Sequence, residues 1–177
     1  MVKSMDLIPI KQFNYYTDGS TRGNPGQGGY GVVCLDENEI IYSYSKQYEH
    51  TTNNRMELEA ILHVFRTRRF SKFEKITIYS DSAYCVNMLN DWIWKWVLNG
   101  WCNSKGKRVE NLDLVQEAYV EMKEHPNARI VHIKGHNGIL GNELADALAT
   151  DNIPRYKMLV KKNALEENYN FVNTREA

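Results

Sequence analysis

The sequence lacks a long hydrophobic run, an excess of charge of either sign, and a cysteine pattern that could hold zinc. No apolar stretch reaches the roughly 20 residues of a membrane-spanning helix, and the first ten residues, interrupted by Asp6 and Pro9, do not form a signal peptide. The 22 basic residues balance the 22 acidic ones, so any basic surface must be local. Cys34, Cys85 and Cys102 are odd in number and widely spaced, which indicates reduced thiols in a cytoplasmic protein.

The apolar periodicity predicts an antiparallel meander followed by alternating helices and strands. Runs at 13–17, 29–35 and 40–44 alternate as strands do, and linkers rich in glycine or acidic residues separate them. Helical spacing follows at 55–69, a short strand at 75–80, helices at 82–90 and 111–124, a strand at 129–133, and a last helix capped by Asn142. A strand delivered after a helix implies a crossover connection, so the sequence predicts a mixed α/β sheet.

Four acidic residues occupy the ends or first turns of these predicted elements. Asp18 and Asp81 end strands, Glu57 begins a helix, and Asp146 lies on the last helix of the domain. Each position has a simpler explanation, such as turn formation for Asp18 or the helix dipole for Glu57. If the first and fourth strands are neighbours, however, the four carboxylates share one pocket, and their repulsion requires cations. Such hard oxygen ligands suit Mg²⁺ or Mn²⁺ and not zinc.

All four tryptophans of the chain fall within residues 92–101, beside several basic side chains. Tryptophans can simply fill a core, but four in so short a polar-flanked stretch favour a surface that follows a nucleic-acid backbone. The basic residues beside them are Lys95, Lys105, Lys107 and Arg108.

These motifs, taken in order, resemble those of the type 1 ribonuclease H family. The resemblance runs from about Phe13 to Thr150, and five motifs in the correct order make it specific. The matching segments are Tyr-Thr-Asp18-Gly-Ser with the glycine-rich run 23–31, Thr52-Asn53-Asn54-Arg55-Met56-Glu57-Leu58, Ser80-Asp81-Ser82-Ala83-Tyr84, the tryptophan-rich segment, and the two runs 134–138 and 141–146.

The resemblance implies a ribonuclease H-like fold, with a mixed five-stranded sheet flanked by helices. It also implies an endonuclease that hydrolyses the RNA strand of RNA–DNA hybrids and leaves 5′-phosphate and 3′-hydroxyl ends. By the family pattern, two Mg²⁺ ions, with Mn²⁺ as a possible substitute, are held by Asp18, Glu57, Asp81 and Asp146. His136, otherwise an ordinary surface histidine, would assist proton transfer or product departure.

The same resemblance assigns residues to substrate binding. Asn24, Asn53 and Asn54 match the positions that read the hybrid, where an amide can both donate to and accept from a ribose 2′-hydroxyl. As turn and cap residues they also have a local role. The channel for the DNA strand is matched by Trp92, Trp96 and Ser104, and its phosphate pocket by Thr52 and Asn111.

The resemblance also divides the chain and leaves alternatives open. We expect an N-terminal lead at 1–12, a catalytic domain at 13–150, and a polar C-terminal tail at 151–177 that is able to form a loose helix and is disordered at its end. We also expect a monomer that binds an RNA–DNA hybrid and no membrane. A non-catalytic hybrid-binding module would lack one of the four acids, and none is missing. An integrase, transposase or resolvase relative would share the fold, but the Asn-Asn-Arg-Met-Glu57 run and the tryptophans argue against it.

Overall fold

A computed structural model describes residues 10–67 and 74–175, with side chains as far as residue 168. Within these residues the strands are β1 (Lys11–Arg22), β2 (Gly26–Asp36), β3 (Glu39–Thr51), β4 (Glu74–Ser80) and β5 (Ala128–His132). The helices are α1 (Asn53–Thr67), α2 (Ala83–Asn87), α3 (Ile93–Leu98), α4 (Leu112–Glu124), α5 (Leu140–Ala149) and α6 (Ile153–Arg175), and a π-helical segment, Met88–Trp92, joins α2 to α3.

The five strands form one mixed sheet in the order β3-β2-β1-β4-β5. The first three strands pair antiparallel, and β1, β4 and β5 pair parallel. Because α1 leads from the edge strand β3 to β4 on the far side of β1, the chain crosses over the sheet before it continues. The predicted mixed five-stranded sheet of the ribonuclease H-like class is therefore confirmed, with β1 at its centre.

The first strand is longer than the sequence pattern predicted. We expected it to end at Thr17, with a turn beginning at Asp18, but β1 pairs with β2 as far as Arg22 opposite Gln27. The turn itself is confined to residues 23–25, where Gly23 has a left-handed backbone with φ of 82°. Asp18 thus lies inside a strand, held there by its pairing with β2.

Two apolar layers cover the two faces of the sheet. On one face, α1, α4 and the segment 83–98 bury a large cluster that includes Ile61, Leu62, Ile76 and Ile78. On the other face, α5 and α6 cover a smaller cluster built around Val33 and Leu35 of β2. Burial of these layers is the main force that fixes the strand order and the positions of the helix ends.

The polar C-terminal segment, which we expected to form a loose helix, forms the continuous helix α6. Tyr156, Leu159 and Val160 pack against the second cluster, and the side chain of Asn163 donates a hydrogen bond to the carbonyl of Asn38 at 2.8 Å. The expectations for residues 1–9, for the end of the helix predicted at 55–69, and for disorder at residues 176–177 lie outside the described residues. Among the described helices, none combines the length and the hydropathy that spanning a bilayer requires.

Candidate active site

Asp18 and Asp81 are brought together by the parallel pairing of β1 and β4. The last pair between the two strands is Thr17 with Ser80. Asp18 is the next residue within β1, and Asp81 directly follows the end of β4. Thr17 and Ser80 are fully buried, so the two carboxylates leave the core at the same level of the sheet. The adjacency that we predicted from neighbouring first and fourth strands is therefore present, although Asp18 does not end its strand.

Glu57 reaches the same place because α1 packs closely on β1. A Cβ atom at Gly19 would lie 2.3 Å from the backbone nitrogen of Glu57, so only glycine allows the helix to approach so closely. Glu57 is 3% exposed. Carboxylate oxygens of Asp18, Glu57 and Asp81 all lie within 4.8 Å of one another.

Burial and mutual repulsion set the electrostatics of this carboxylate cluster of Asp18, Glu57 and Asp81. Burial, followed by the charges of Glu57, Asp81 and Asp146, raises the pKa of Asp18 well above its usual range. Burial and then the charge of Asp81 raise the pKa of Glu57, and a hydrogen bond from the backbone of Gly19 opposes this rise. Both shifts mean that ionised carboxylates are costly here unless a positive charge compensates them.

The cluster fits a divalent cation with a preference for oxygen ligands. Its three members supply only carboxylate oxygens, the ligand type of Mg²⁺ and Mn²⁺, and no sulfur or imidazole that would favour zinc. The Oε2 atom of Glu57 is buried and makes no hydrogen bond to any described residue. A buried acceptor without a donor is expensive, and a bound cation would satisfy it.

Asp146 lies beside the cluster but is shared with an arginine. It stands on α5, and its negative charge is one of those that raise the pKa of Asp18. Its Oδ2 atom pairs with Nη1 of Arg155, whose Nη2 pairs with Glu143. Asp146 does not join the group whose oxygens all lie within 4.8 Å of one another. The four predicted acids therefore meet at one site, three as a compact group and the fourth at its edge.

Asn142 is a site residue that the sequence pattern assigned wrongly. We expected it to cap the last helix of the domain, but α5 begins at Leu140 and its N-cap is Ile139. Asn142 is instead 2% exposed, and its Nδ2 atom donates to Oδ2 of Asp81 at 3.3 Å. Because a Gly-Asn pair before an acidic residue resembles an ordinary helix start, no sequence signal separated this residue from a cap.

His136 lies in the loop between β5 and α5, next to the carboxylate cluster. Its neighbour Gly135 sits against Asp81, since a Cβ atom there would be 2.5 Å from Oδ2 of Asp81. His136 itself is exposed and has a left-handed backbone with φ of 51°. The loop thus carries an exposed imidazole one residue from the glycine that contacts Asp81.

The three predicted hybrid-reading amides stand at one corner of the molecule. The Oδ1 atom of Asn24, in the turn between β1 and β2, accepts a hydrogen bond from the backbone of Asn53 at 3.1 Å. Thr52 accepts from the backbone of Arg55 at 3.4 Å, and Asn54 follows in the first turn of α1. Asn24 and Thr52 therefore do serve as turn and cap residues. Among the described residues, no hydrogen bond engages the side-chain amide of Asn53 or Asn54.

Thr52 and Asn111 are joined through Arg55. Nη1 of Arg55 lies 3.5 Å from Oδ1 of Asn111, and its guanidinium binds Asp113 with a shortest distance of 2.6 Å. Asn111 has a left-handed backbone with φ of 51° where it begins α4. Arg55 belongs to the motif at 52–58, but no sequence pattern predicted its contact with Asn111.

The tryptophan segment forms a groove in which the three predicted channel residues meet. Trp92, Trp96 and Ser104 line a cavity of about 530 Å³, and the two indole rings lie 6.1 Å apart. Trp94 and Trp101 instead contact Tyr119 of α4 edge-on. The segment therefore divides into a pair of rings that line the groove and a pair that packs against α4.

A central sheet that carries a buried carboxylate cluster is typical of the class of metal-dependent enzymes that act on phosphate esters. Comparison with protein families makes the assignment specific. The family model described as RNase H matches residues 10–153, and the chain belongs to the ribonuclease H family.

Curated relatives and solved structures agree with this family. Ribonuclease H of Pseudoalteromonas atlantica (strain T6c) is 40% identical over 142 residues, covering 80% of this chain and 90% of the relative. Ribonuclease HI of Haemophilus ducreyi (strain 35000HP) is 40% identical over 147 residues, covering 79% and 89%. LC9-RNase H1, described as a type 1 RNase H with the type 2 active-site motif, superposes with a TM-score of 0.68 at 30% identity, covering 81% of this chain and 72% of that one. LC11-RNase H1 in complex with an RNA/DNA hybrid gives 0.58 at 25% identity, covering 77% and 93%.

Proposed function

We propose that this protein is an endonuclease that hydrolyses the RNA strand of RNA–DNA hybrids, with Mg²⁺ held by Asp18, Glu57, Asp81 and Asp146. The observation that carries the proposal is the buried carboxylate cluster, in which Oε2 of Glu57 has no donor among the described residues. Membership of the ribonuclease H family and the hybrid bound to the neighbour LC11-RNase H1 support the substrate class.

The chain contributes position and charge to this reaction. Two bound Mg²⁺ ions, for which Mn²⁺ can substitute, would supply activation of the attacking water and stabilisation of the leaving 3′-oxygen. Asn142 holds Asp81 in place by its hydrogen bond, and Gly19 lets α1 bring Glu57 against the sheet. The exposed His136 at the edge of the site delivers a proton to the leaving oxygen.

The substrate lies across the surface between the amide corner and the tryptophan groove. Asn24, Asn53 and Asn54 read ribose 2′-hydroxyls of the RNA strand, which distinguishes RNA from DNA. The contact between Asn24 and Asn53 supports one continuous reading surface. The DNA strand passes over the groove, where ring faces pack against sugars, and a phosphate binds in the neighbouring pocket. The groove residues are Trp92, Trp96 and Ser104, and the pocket residues are Thr52 and Asn111.

We further propose that residues 13–150 are the catalytic domain and that the protein acts as a monomer in the cytoplasm. The match of the family model to residues 10–153 supports the domain boundaries. The three cysteines are odd in number and widely spaced along the chain, which suits a reducing compartment. Size-exclusion chromatography with light scattering, with and without the hybrid, measures the oligomeric state directly.

The decisive experiment is cleavage of one labelled sequence presented as RNA–DNA hybrid, as duplex RNA and as duplex DNA, with and without Mg²⁺. We expect cleavage of the hybrid alone, in its RNA strand and only with the metal. Asp81→Asn is the inactive control, and Asp36→Asn, an exposed acid at the end of β2, is its matched active partner. Hybrid binding without metal-dependent cleavage would leave only a binding module.

A further inference from the structure

Arg155 is bound by two acids of α5, one of which is the fourth acid of the candidate active site. Its guanidinium nitrogens pair separately with Asp146 and Glu143, and all three side chains are less than a third exposed. Asp146 lies one helical turn beyond Asn142, which donates to Asp81 of the carboxylate cluster, and its negative charge is one of those that raise the pKa of Asp18. One carboxylate therefore stands between a fixed positive charge and the carboxylate cluster.

The turn from α5 to α6 holds Arg155 in this position. The backbone of Asn152 donates to the carbonyl of Ala147 at 2.8 Å, and its side chain accepts from the backbone of Arg155 at 3.1 Å. Asp151 adopts a left-handed backbone with φ of 53° between the two helices. Since α6 is also packed through Tyr156, the guanidinium is directed back along α5 and not outward into solvent.

A guanidinium and a metal cation compete for the same carboxylate oxygens. Arg155 stays protonated at every working pH, so its charge is permanent. A divalent cation that binds Asp146 must share this carboxylate with Arg155 and is repelled by it, because two positive charges a few ångströms apart raise each other's energy. Removing the arginine charge should therefore favour the cation, even though the metal-free protein loses an ion pair.

We propose that Arg155 is a positioning residue that competes with Mg²⁺ for Asp146 and so sets the Mg²⁺ concentration at which the fourth carboxylate becomes a metal ligand. The inference rests on the proposed metal site and assigns a regulator to it. Because Arg155 lies in the first turn of α6, the C-terminal helix thereby contributes to metal affinity.

The test measures the melting temperature of the full chain against Mg²⁺ concentration without nucleic acid, with calorimetric titration of Mg²⁺ in parallel. Arg155→Gln should melt lower than the parent in EDTA, gain more from Mg²⁺, and reach half-saturation at a concentration about fivefold lower. Arg155→Lys keeps the positive charge, and its half-saturating Mg²⁺ concentration should stay near that of the parent. Glu143→Gln leaves Arg155 to Asp146 alone and should need more Mg²⁺ than the parent.

The matched control is Arg66→Gln. Arg66 is likewise held by two acids, Glu59 and Glu117, at 2.6 Å each, but it lies roughly 13 Å along α1 from Glu57. The Arg66→Gln variant should melt at a lower temperature than the parent in EDTA, but its half-saturating Mg²⁺ concentration should equal that of the parent.

The outcomes separate this inference from the function on which it rests. If the parent responds to Mg²⁺ but Arg155→Gln needs the same or a higher concentration, the competition is disproved and Arg155 serves structure or orientation only. A parent that shows no Mg²⁺ response would overturn the metal site and this inference together. Glu143→Gln, which keeps the arginine, provides the same decision should Arg155→Gln fail to fold.

Discussion

Asp18 combines a position in a central strand with a charge that the fold does not compensate. It is 5% exposed, and burial and three neighbouring acids raise its pKa. The folded protein therefore holds a proton on Asp18 more tightly than the unfolded chain does, whose pKa is near 3.8. The stability that this proton provides is complete below that value and is lost as the pH rises through the folded pKa.

Asp18→Asn should accordingly abolish cleavage and raise the melting temperature at neutral pH, because the substitution removes the repulsion. This gain in melting temperature over the parent should become smaller as the pH falls towards about 4, where Asp18 of the parent is itself protonated. Circular dichroism melts in EDTA between pH 4 and 8 measure this difference. Asp36→Asn, at an exposed position, should leave the melting temperature within about 1 °C of the parent at every pH. An active Asp18→Asn enzyme would remove Asp18 from the site.

His136 should behave differently from the acids, because its side chain is exposed and it is not a member of the carboxylate cluster that would bind the metal. We expect His136→Asn to slow single-turnover cleavage by about 10²-fold with hybrid affinity unchanged, since a proton relay accelerates a step that the cations still support. Asparagine is chosen because it tolerates the left-handed backbone at this position.

The measurement is single-turnover cleavage at saturating Mg²⁺, with Asn137→Ala in the same exposed loop as the control and Asp146→Ala as the reference for loss of a ligand. The control should retain nearly full activity, and Asp146→Ala should be far slower than His136→Asn. If His136→Asn is as inactive as Asp18→Asn, the histidine belongs to the metal site and the relay is wrong.

At the scale of single residues, the sequence predicted those side chains whose position is set by the point where strand pairing ends. Asp18 and Asp81 follow the last paired residues of two parallel strands, and this geometry can be derived from topology. Asn142 and Arg155 could not be found in this way. The first resembles a helix cap, and the second lies nine residues beyond Asp146 in a polar segment, so only the folded turn shows what each one contacts.

At the scale of secondary-structure elements, glycine residues explain why the predicted strands β1 and β2 were too short. We predicted that Gly19 and Gly26 belong to a turn, but they lie within β1 and β2. A Cβ atom at Gly31 would be 2.3 Å from the carbonyl of Ala145, and Gly19 stands equally close to α1. Gly19 and Gly31 thus let helices approach both faces of the sheet, a requirement that comes from packing partners far away in the sequence.

Helix α6 packs on the domain through a narrow, partly buried stripe that the sequence pattern does not show clearly. Tyr156, Leu159 and Val160 have helical spacing and pack on the second cluster, but Met158 and Leu165 are about 60% exposed, which blurs the pattern. A helix with so weak an apolar face depends on tertiary packing rather than on its own propensity.

Leu159→Ala should therefore destabilise the protein by about 1–2 kcal/mol, less than a fully buried leucine would, and lower the melting temperature by roughly 3–6 °C. The neighbouring Met158→Ala removes a similar side chain from an exposed position and should cost no more than about 0.5 kcal/mol. Urea unfolding monitored by far-ultraviolet circular dichroism compares the two. Equal stabilities for both variants would show that α6 does not cover the second cluster.

At the scale of the whole molecule, a neutral chain must bind a polyanion through a local basic surface. The formal net charge is zero, so attraction to nucleic acid depends on where the charges lie. The turn at 103–108 places Lys105, Lys107 and Arg108, all exposed, beside the tryptophan groove. Asn103 fixes this turn by accepting hydrogen bonds from the backbones of Lys105 and Lys107 at 3.0 Å each. We name these three cations the basic turn.

Each residue of the basic turn that binds a phosphate should contribute separately to the salt dependence of hybrid binding. Replacing Lys105, Lys107 or Arg108 by glutamine should weaken binding and reduce the slope of log K against log salt by roughly one for each phosphate that is no longer neutralised, because fewer counterions are released. Fluorescence anisotropy of a labelled hybrid in Ca²⁺, titrated at several salt concentrations, measures the slopes.

Two further lysines show whether any change in slope belongs to the basic turn. Lys161→Gln, on the exposed side of α6 across the sheet, is the control and should keep the slope of the parent. Lys95 differs from Lys161 and from the basic turn, since it lines the groove and pairs with Asp91 at 3.1 Å, so its removal also removes an ion pair. Slopes that stay at the parent value in all three basic-turn variants would mean that the basic turn is a solvated surface and that the groove binds the hybrid through its aromatic rings alone.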